Sequence, residues 1–154
     1  MKFKTSKIIS TLFYLGFYSK MPGTLGSAVG LLSGVLVLIY FNYEFFLIFF
    51  VMITIIGLFS VYKYQKIVGK SDKSEIIIDE FIVQLIPLMI IDINLLNLFL
   101  SFALFRFFDI LKFYPANVID KKYSNYFGVI FDDIIAGIQA SLVILLYYFL
   151  YDKL

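Results

Sequence analysis

The chain has no cysteine and no histidine. Disulfides, thiolate nucleophiles, phosphohistidine chemistry, the usual zinc sites and imidazole acid–base catalysis are therefore excluded. Charge is also scarce: 13 Lys and Arg against 11 Asp and Glu, 16% of 154 residues, for a net charge of +2. No basic stretch interleaved with aromatic residues occurs, so nucleic acid is not expected as a partner. Any chemistry must come from carboxylates, lysines, the single arginine, hydroxyls and a bound metal.

What the chain does have is apolar surface. Hydrophobic residues make up 62% and mean hydropathy is +0.94, against an apolar share of about half in soluble domains. So few polar residues cannot cover a water-soluble fold, and a membrane is the expected solvent. Nothing divides the 154 residues, which are read as one domain over 1–154.

The fold class expected is all-α: a compact, membrane-embedded bundle of about four to five long apolar helices plus an N-terminal amphipathic helix. Lysines precede the first apolar stretch, as in a signal peptide, but aromatic and polar interruptions and the lack of a small-residue cleavage site favour an amphipathic helix at the membrane surface. Runs over roughly 24–41 and 45–62 are long enough to span, with Asn42-Tyr43-Glu44 as a tight hairpin between them. The runs over roughly 76–91 and 95–108 are shorter. The first of them holds Asp79, Glu80, Gln84 and Pro87, and packing inside a bundle is expected for both. A polar connector over roughly 112–128 carries Pro115 as a turn before a short helix, and a last run over roughly 129–150 can span again.

With a cytoplasmic N-terminus and every run crossing, Lys2, Lys4, Lys7, Lys20, Lys63, Lys66, Lys70, Lys73, Arg106, Lys112, Lys121 and Lys122 all fall on the inner side, and only Lys153 falls outside. Eight acids follow them: Asp72, Glu75, Asp79, Glu80, Asp109, Asp120, Asp132 and Asp133. Helix ends and loops from distant parts of the chain thus converge on one face, as they do when a site is assembled. Small residues at helical spacing, Gly26, Gly30 and Gly34 in the first span and Asp133, Gly137 and Ser141 in the last, allow close helix approach in lipid.

Four stretches can carry chemistry. Asp79-Glu80 lies between Ile76-Ile77-Ile78 and Phe81-Ile82; acids at a helix start suit its dipole, but acids this deep in apolar sequence usually mark function. In FRFFDILK, Arg106, Asp109 and Lys112 follow one another at i, i+3, either as a salt-bridged face or as a carboxylate between two phosphate-binding cations. Asp132-Asp133 opens the last span and admits the same two readings. SKMPGTLGS, residues 19–27, offers Lys20, Thr24 and Ser27 around flexible backbone before a helix, a plausible anion nest and also common loop punctuation. Carboxylates and cations without soft ligands point to a hard cation, Mg2+, shared with a substrate phosphate. The chemistry expected is phosphoryl chemistry at the inner membrane face.

Together these motifs resemble the phosphatidylglycerophosphatase A family, membrane enzymes that hydrolyse phosphatidylglycerophosphate to phosphatidylglycerol and phosphate. Pro22, Gly23, Thr24, Gly26 and Ser27 match its Pro-Gly-Thr-x-Gly-Ser loop, and Asp79-Glu80 its Asp-Glu helix. Phe105, Arg106, Asp109, Lys112 and Pro115 match its Phe-Arg-x-x-Asp-x-x-Lys-Pro-x-Pro segment, with Asp120 as the acid that follows. Gly128, Asp132, Asp133, Ala136 and Gly137 match its closing Gly-x-x-x-Asp-Asp-x-x-Ala-Gly. The chain departs at Phe113, where the family usually has proline, and at Asn125-Tyr126, where it usually has paired glycines.

The resemblance implies a Mg2+-dependent lipid phosphatase of a bacterial cytoplasmic membrane, working at the cytoplasmic face. Asp79, Glu80, Asp109 and Asp133 are its expected catalytic residues. With Asp132 they form the expected Mg2+ ligands, and Lys20, Thr24, Ser27, Arg106 and Lys112 are the expected phosphate binders. Attack by water activated at the metal and a covalent aspartyl-phosphate both fit these groups. Asp132 and Asp133 diverge by about 100° on a helix, so different parts are expected, with Asp133 in direct ligation. Two other classes compete. A phosphatidyltransferase using CDP-activated lipids would need Asp-x-x-Asp-Gly-x-x-Ala-Arg, which is absent. A small transporter or ion-pathway protein would place its acids near the midplane and tends to show an inverted repeat.

Overall fold

The structure, a computed structural model, describes residues 3–69, 73–122 and 126–151. Asn125, the side chains of Asp120 and Tyr126 and the surroundings of Gly128 lie outside what the structure describes. Among the described residues every regular element is a helix: α1 (Phe3–Ser10), α2 (Leu15–Tyr18), α3 (Pro22–Tyr40), α4 (Tyr43–Val68), α5 (Ile78–Val83), α6 (Leu85–Leu88), α7 (Leu95–Leu111), α8 (Ala116–Lys122) and α9 (Tyr126–Tyr151). The all-α membrane bundle expected from the sequence is therefore present. Three stretches are long and apolar enough to cross a bilayer: α3, α4 and Ile130–Leu150 of α9. The α3–α4 hairpin turns where the Asn42 side chain accepts a hydrogen bond from Phe45 N at 2.8 Å. Asn94 starts α7 in the same way, accepting from Asn97 N at 2.9 Å, so two orphan helix donors are satisfied by asparagine caps.

The spans are built with small residues inside and large apolar ones outside. α3 buries Gly23, Gly26, Ser27, Gly30 and Gly34 while Leu32, Leu36 and Ile39 are exposed. On α9, Ala136, Gly137, Ala140 and Ser141 are buried and Leu142, Leu145, Leu146 and Phe149 are exposed. Lipid solvates the outward leucines as well as a core would, so helix association depends on close backbone approach.

What these small faces enclose is the run over 76–91, which forms two short helices rather than one. Pro87 has no N–H for the Val83 carbonyl, and the helix breaks between α5 and α6 at Gln84. This segment is the centre of the bundle: Ile77, Ile78, Ile82, Val83, Leu85 and Leu88 are all at most 2% exposed. It packs along α3, with Ile77 against Gly26, Phe81 against Gly30, and Leu85 and Leu88 against Gly34. Gly57 of α4 faces Ile78 and Ile82, and Gly137 of α9 faces Val83 and Ile86. The order of these contacts shows that the segment runs parallel to α3. It ends near the α3–α4 hairpin, where Tyr43 Oη donates to the Met89 carbonyl at 3.2 Å. α7, with 17 residues, then returns to the end at which α3 began.

The N-terminal helix is more than a surface float. α1 packs on α4 through serines that are fully buried: Ser60 Oγ donates to the Ser6 carbonyl at 2.9 Å and Ser10 Oγ donates to Ser60 Oγ at 3.2 Å. Leu12, Phe13 and Tyr14 then turn in the left-handed region, with φ of 44, 56 and 70°. The Ser10 carbonyl accepts from Ile77 N at 3.0 Å, which ties α1 to the backbone entering α5.

Candidate active site

Four helix ends meet where the bundle is richest in charge. α5 presents Asp79 and Glu80 in its first turn, α7 presents Arg106, Asp109 and Lys112 in its last turns, α9 presents Asp132 and Asp133, and α3 starts beside them at Pro22 and Gly23. They line one cavity of about 300 Å3, together with Lys73, Ser74, Ile76 and Ile110. Gly23 makes the convergence possible: a Cβ there would stand 3.1 Å from Arg106 Nη1 and 3.2 Å from Nη2, and would also overlap Glu80 Oε1.

Asp79, Glu80 and Asp133 each place a carboxylate oxygen within 4.8 Å of the others. Asp79 is 3% and Asp133 7% exposed. The two neighbours on α9 divide: Asp133 joins this trio, and Asp132 accepts from Lys112 Nζ at 2.6 Å. Lys112 can reach across because it is the C-cap of α7, in the left-handed region with φ of 44°. Asp109 is held by an ion pair with Arg106 Nη1 one turn earlier, and the same Arg106 nitrogen donates to Ser27 Oγ at 3.4 Å. Ser27 Oγ in turn donates to the Gly23 carbonyl at 2.9 Å.

Among the described residues, five carboxylates and three cations share this cavity. Among the same residues Glu80 Oε2 is buried without a hydrogen-bond partner, a costly state for a carboxylate unless a cation faces it. Helix-dipole complementarity does not account for Asp132 and Asp133: α9 begins at Tyr126, which puts both beyond the first turn, where that effect falls off. Clustered hard oxygen donors with an uncompensated charge fit a divalent cation such as Mg2+, with Asp79, Glu80 and Asp133 as the trio able to hold it.

The structure brings Ser27, Arg106, Lys112 and all five acids named in the sequence to this region. Lys20 is exposed and Thr24 half-buried, and neither lines the cavity. Lys73 and Ser74 line it although the motif reading passed over them. Their only signal was a lysine-rich segment immediately ahead of the buried Ile76–Asp79 run.

Fold and site together define a membrane-embedded helical protein with a carboxylate-rich site of headgroup size at one end of its bundle. Residues 8–148 match the family model described as Phosphatidylglycerophosphatase A, and the chain belongs to that family, making it a phosphatase that acts on lipid. Among curated relatives, the Phosphatidylglycerophosphatase A of Haemophilus influenzae is 36% identical over 138 residues, covering 89% of this chain and 85% of that protein. A Bacteroides thetaiotaomicron protein, whose name proposes phosphatidylinositol-3-phosphatase activity, is 32% identical over 149 residues, covering 89% of each chain. The Phosphatidylglycerophosphatase A of Escherichia coli is 26% identical over 135 residues, covering 87% of this chain and 78% of that protein. No solved structure matches.

Proposed function

We infer that this chain hydrolyses phosphatidylglycerophosphate to phosphatidylglycerol and inorganic phosphate with Mg2+, at the cytoplasmic face of a bacterial cytoplasmic membrane. The observation that carries this reading is the meeting of the Asp79–Glu80–Asp133 trio with Arg106 and Lys112 in one cavity. Asp79, Glu80 and Asp133 would hold the cation, and Asp109 and Asp132 would stay with the phosphate-binding cations. The bound cation would offset phosphoryl charge and activate water.

The chain's own groups do the rest. Arg106 and Lys112 are each fixed by a carboxylate, so their remaining donors are preorganised for a phosphate without first losing side-chain freedom. Ser27 holds the Arg106 fork from the α3 side. Gly23 leaves room for the fork and Glu80 at the start of α3. The cavity, at the small end of ligand pockets, suits a headgroup, and the acyl chains would remain along the apolar outer faces of the spans. A transporter reading fits less well, because the acids gather at one end of the bundle and not at its middle.

The test is purified protein in detergent with phosphatidylglycerophosphate, following phosphate release with Mg2+ and with a chelator. Release that needs Mg2+ is expected. No release in either condition refutes the phosphatase reading, and equal release in both refutes the metal. Phosphatidylinositol 3-phosphate run alongside, and turned over faster, would redirect the substrate assignment.

A further inference from the structure

Of the three cations that line the cavity among the described residues, two are committed: Arg106 to Asp109 and Lys112 to Asp132. Lys73 is the third, and among the described residues it forms no ion pair. It is half-buried and stands on the loop that enters α5, next to the exposed Ser74, so it belongs to the more exposed part of the cavity lining, whereas Asp79, Asp132 and Asp133 are buried. Its backbone is nevertheless fixed. The Lys73 carbonyl accepts from Ile76 N at 2.8 Å, and the next residue, Ile77, is bonded to Ser10, while Ile76 is 3% exposed. A lysine on a fixed backbone in the lining of an acid-rich site, without a carboxylate of its own among the described residues, is placed for an anion that comes with the substrate.

A lipid whose headgroup carries a terminal phosphate has two anionic groups: the phosphomonoester to be cleaved and the phosphodiester that joins the headgroup to diacylglycerol. We propose that Lys73 binds the diester phosphate, while Arg106 and Lys112 take the monoester. Lys73 is then the residue by which the site distinguishes a phosphorylated lipid headgroup from a free phosphomonoester. This rests on the phosphatase reading above.

The experiment compares wild type, Lys73→Gln, Lys73→Arg and, as a surface control, Lys66→Gln at an exposed position on α4. Substrates are phosphatidylglycerophosphate and glycerol 3-phosphate, and phosphatidylglycerol, which keeps only the diester, is the inhibitor. Loss of a charged contact to phosphate is expected to raise KM for the lipid on the order of tenfold in Lys73→Gln. Its kcat and its glycerol 3-phosphate kinetics stay at wild-type values, and inhibition by phosphatidylglycerol weakens by a similar factor. Lys73→Arg restores the lipid KM, and Lys66→Gln changes nothing. Equal losses on both substrates would place Lys73 at the cleaved phosphate and overturn the proposal, as would wild-type lipid KM and inhibition in Lys73→Gln. A wild-type protein inert on both substrates would instead bring down the phosphatase reading, and the inference with it.

Discussion

Gly26 gives the sharpest test of how the fold holds the site. A Cβ at Gly26 would lie 2.6 Å from the Ile77 carbonyl oxygen and 3.1 Å from Ile77 Cβ. Neither atom can rotate away. To regain ordinary contact at 3.4 Å, α3 and α5 must part by roughly 0.8 Å. Asp79 and Glu80 follow Ile77 by two and three residues, so they move with it and leave Asp133 on α9 behind. Overpacking of this kind costs about 1–3 kcal/mol, and a misplacement near 1 Å at a reacting centre costs on the order of 10²-fold in rate. Gly26→Ala is therefore expected to lose most of its phosphate release and to melt at a lower temperature in detergent. Gly34→Ala, two turns along the same face, meets Leu88 Cδ1 at 2.6 Å and Leu85 Cδ2 at 2.7 Å. Those are ends of flexible side chains that can change rotamer, so the cost should be about 1 kcal/mol or less, with activity largely kept. Leu32→Ala, on the exposed face of α3, should be silent. Circular dichroism melts and initial rates on the three variants decide the matter. If Gly34→Ala proved the more damaging, or if Gly26→Ala behaved as wild type, backbone approach between α3 and α5 would not be what positions the acids.

Two further outcomes follow from the site and its placement. Asp79→Asn and Asp133→Asn should each retain less than about one hundredth of wild-type turnover, since even indirect partners of a metal site cost 10- to 100-fold. Their helical circular dichroism should be unchanged, and their melting temperature in chelator should not fall, because each relieves repulsion among buried carboxylates; near-normal rates in both would remove these acids from the chemistry. Cysteines introduced singly at Lys20 and Asn42, both exposed and at opposite ends of α3, should react with a membrane-impermeant maleimide from opposite sides of sealed vesicles, and labelling from one side would overturn the proposed orientation.

Much of this architecture was legible because lipid leaves a plain record in sequence. The spans followed from run length, the first hairpin from Asn42-Tyr43-Glu44, and the helix contacts from glycine spacing in α3 and α9. The convergence of acids at one end followed from charge bookkeeping. The different roles expected for Asp132 and Asp133 came from helical geometry alone, and the structure sets Asp133 toward Asp79 and Glu80 and Asp132 toward Lys112. What escaped were features that hydropathy cannot see. The sequence places the run over 76–91 inside the bundle, but it does not show the break into α5 and α6 or which faces of three other helices enclose them. The buried seam of Ser6, Ser10 and Ser60 joins a helix expected at the membrane surface to one expected to span, and no periodicity in either announces the contact. Lys73 belongs to a loop, where position is set by tertiary contacts and not by periodicity.

These hidden features share a cause that also bears on how the enzyme works. In lipid there is little hydrophobic drive to pull helices together, and a site with more carboxylates than cations pushes its own helices apart. The chain counters this by surrounding the acid-bearing segment with residues that have no side chain to lose. Gly26 and Gly30 face it from α3, Gly57 from α4 and Gly137 from α9, while the α1 carbonyl at Ser10 fixes the strand of backbone leading into it. Van der Waals contact at that range is steep, so small shifts are resisted strongly. The acids can then be held close enough to share the proposed cation, and the geometry of the site becomes a property of the glycines around α5 as much as of the carboxylates on it.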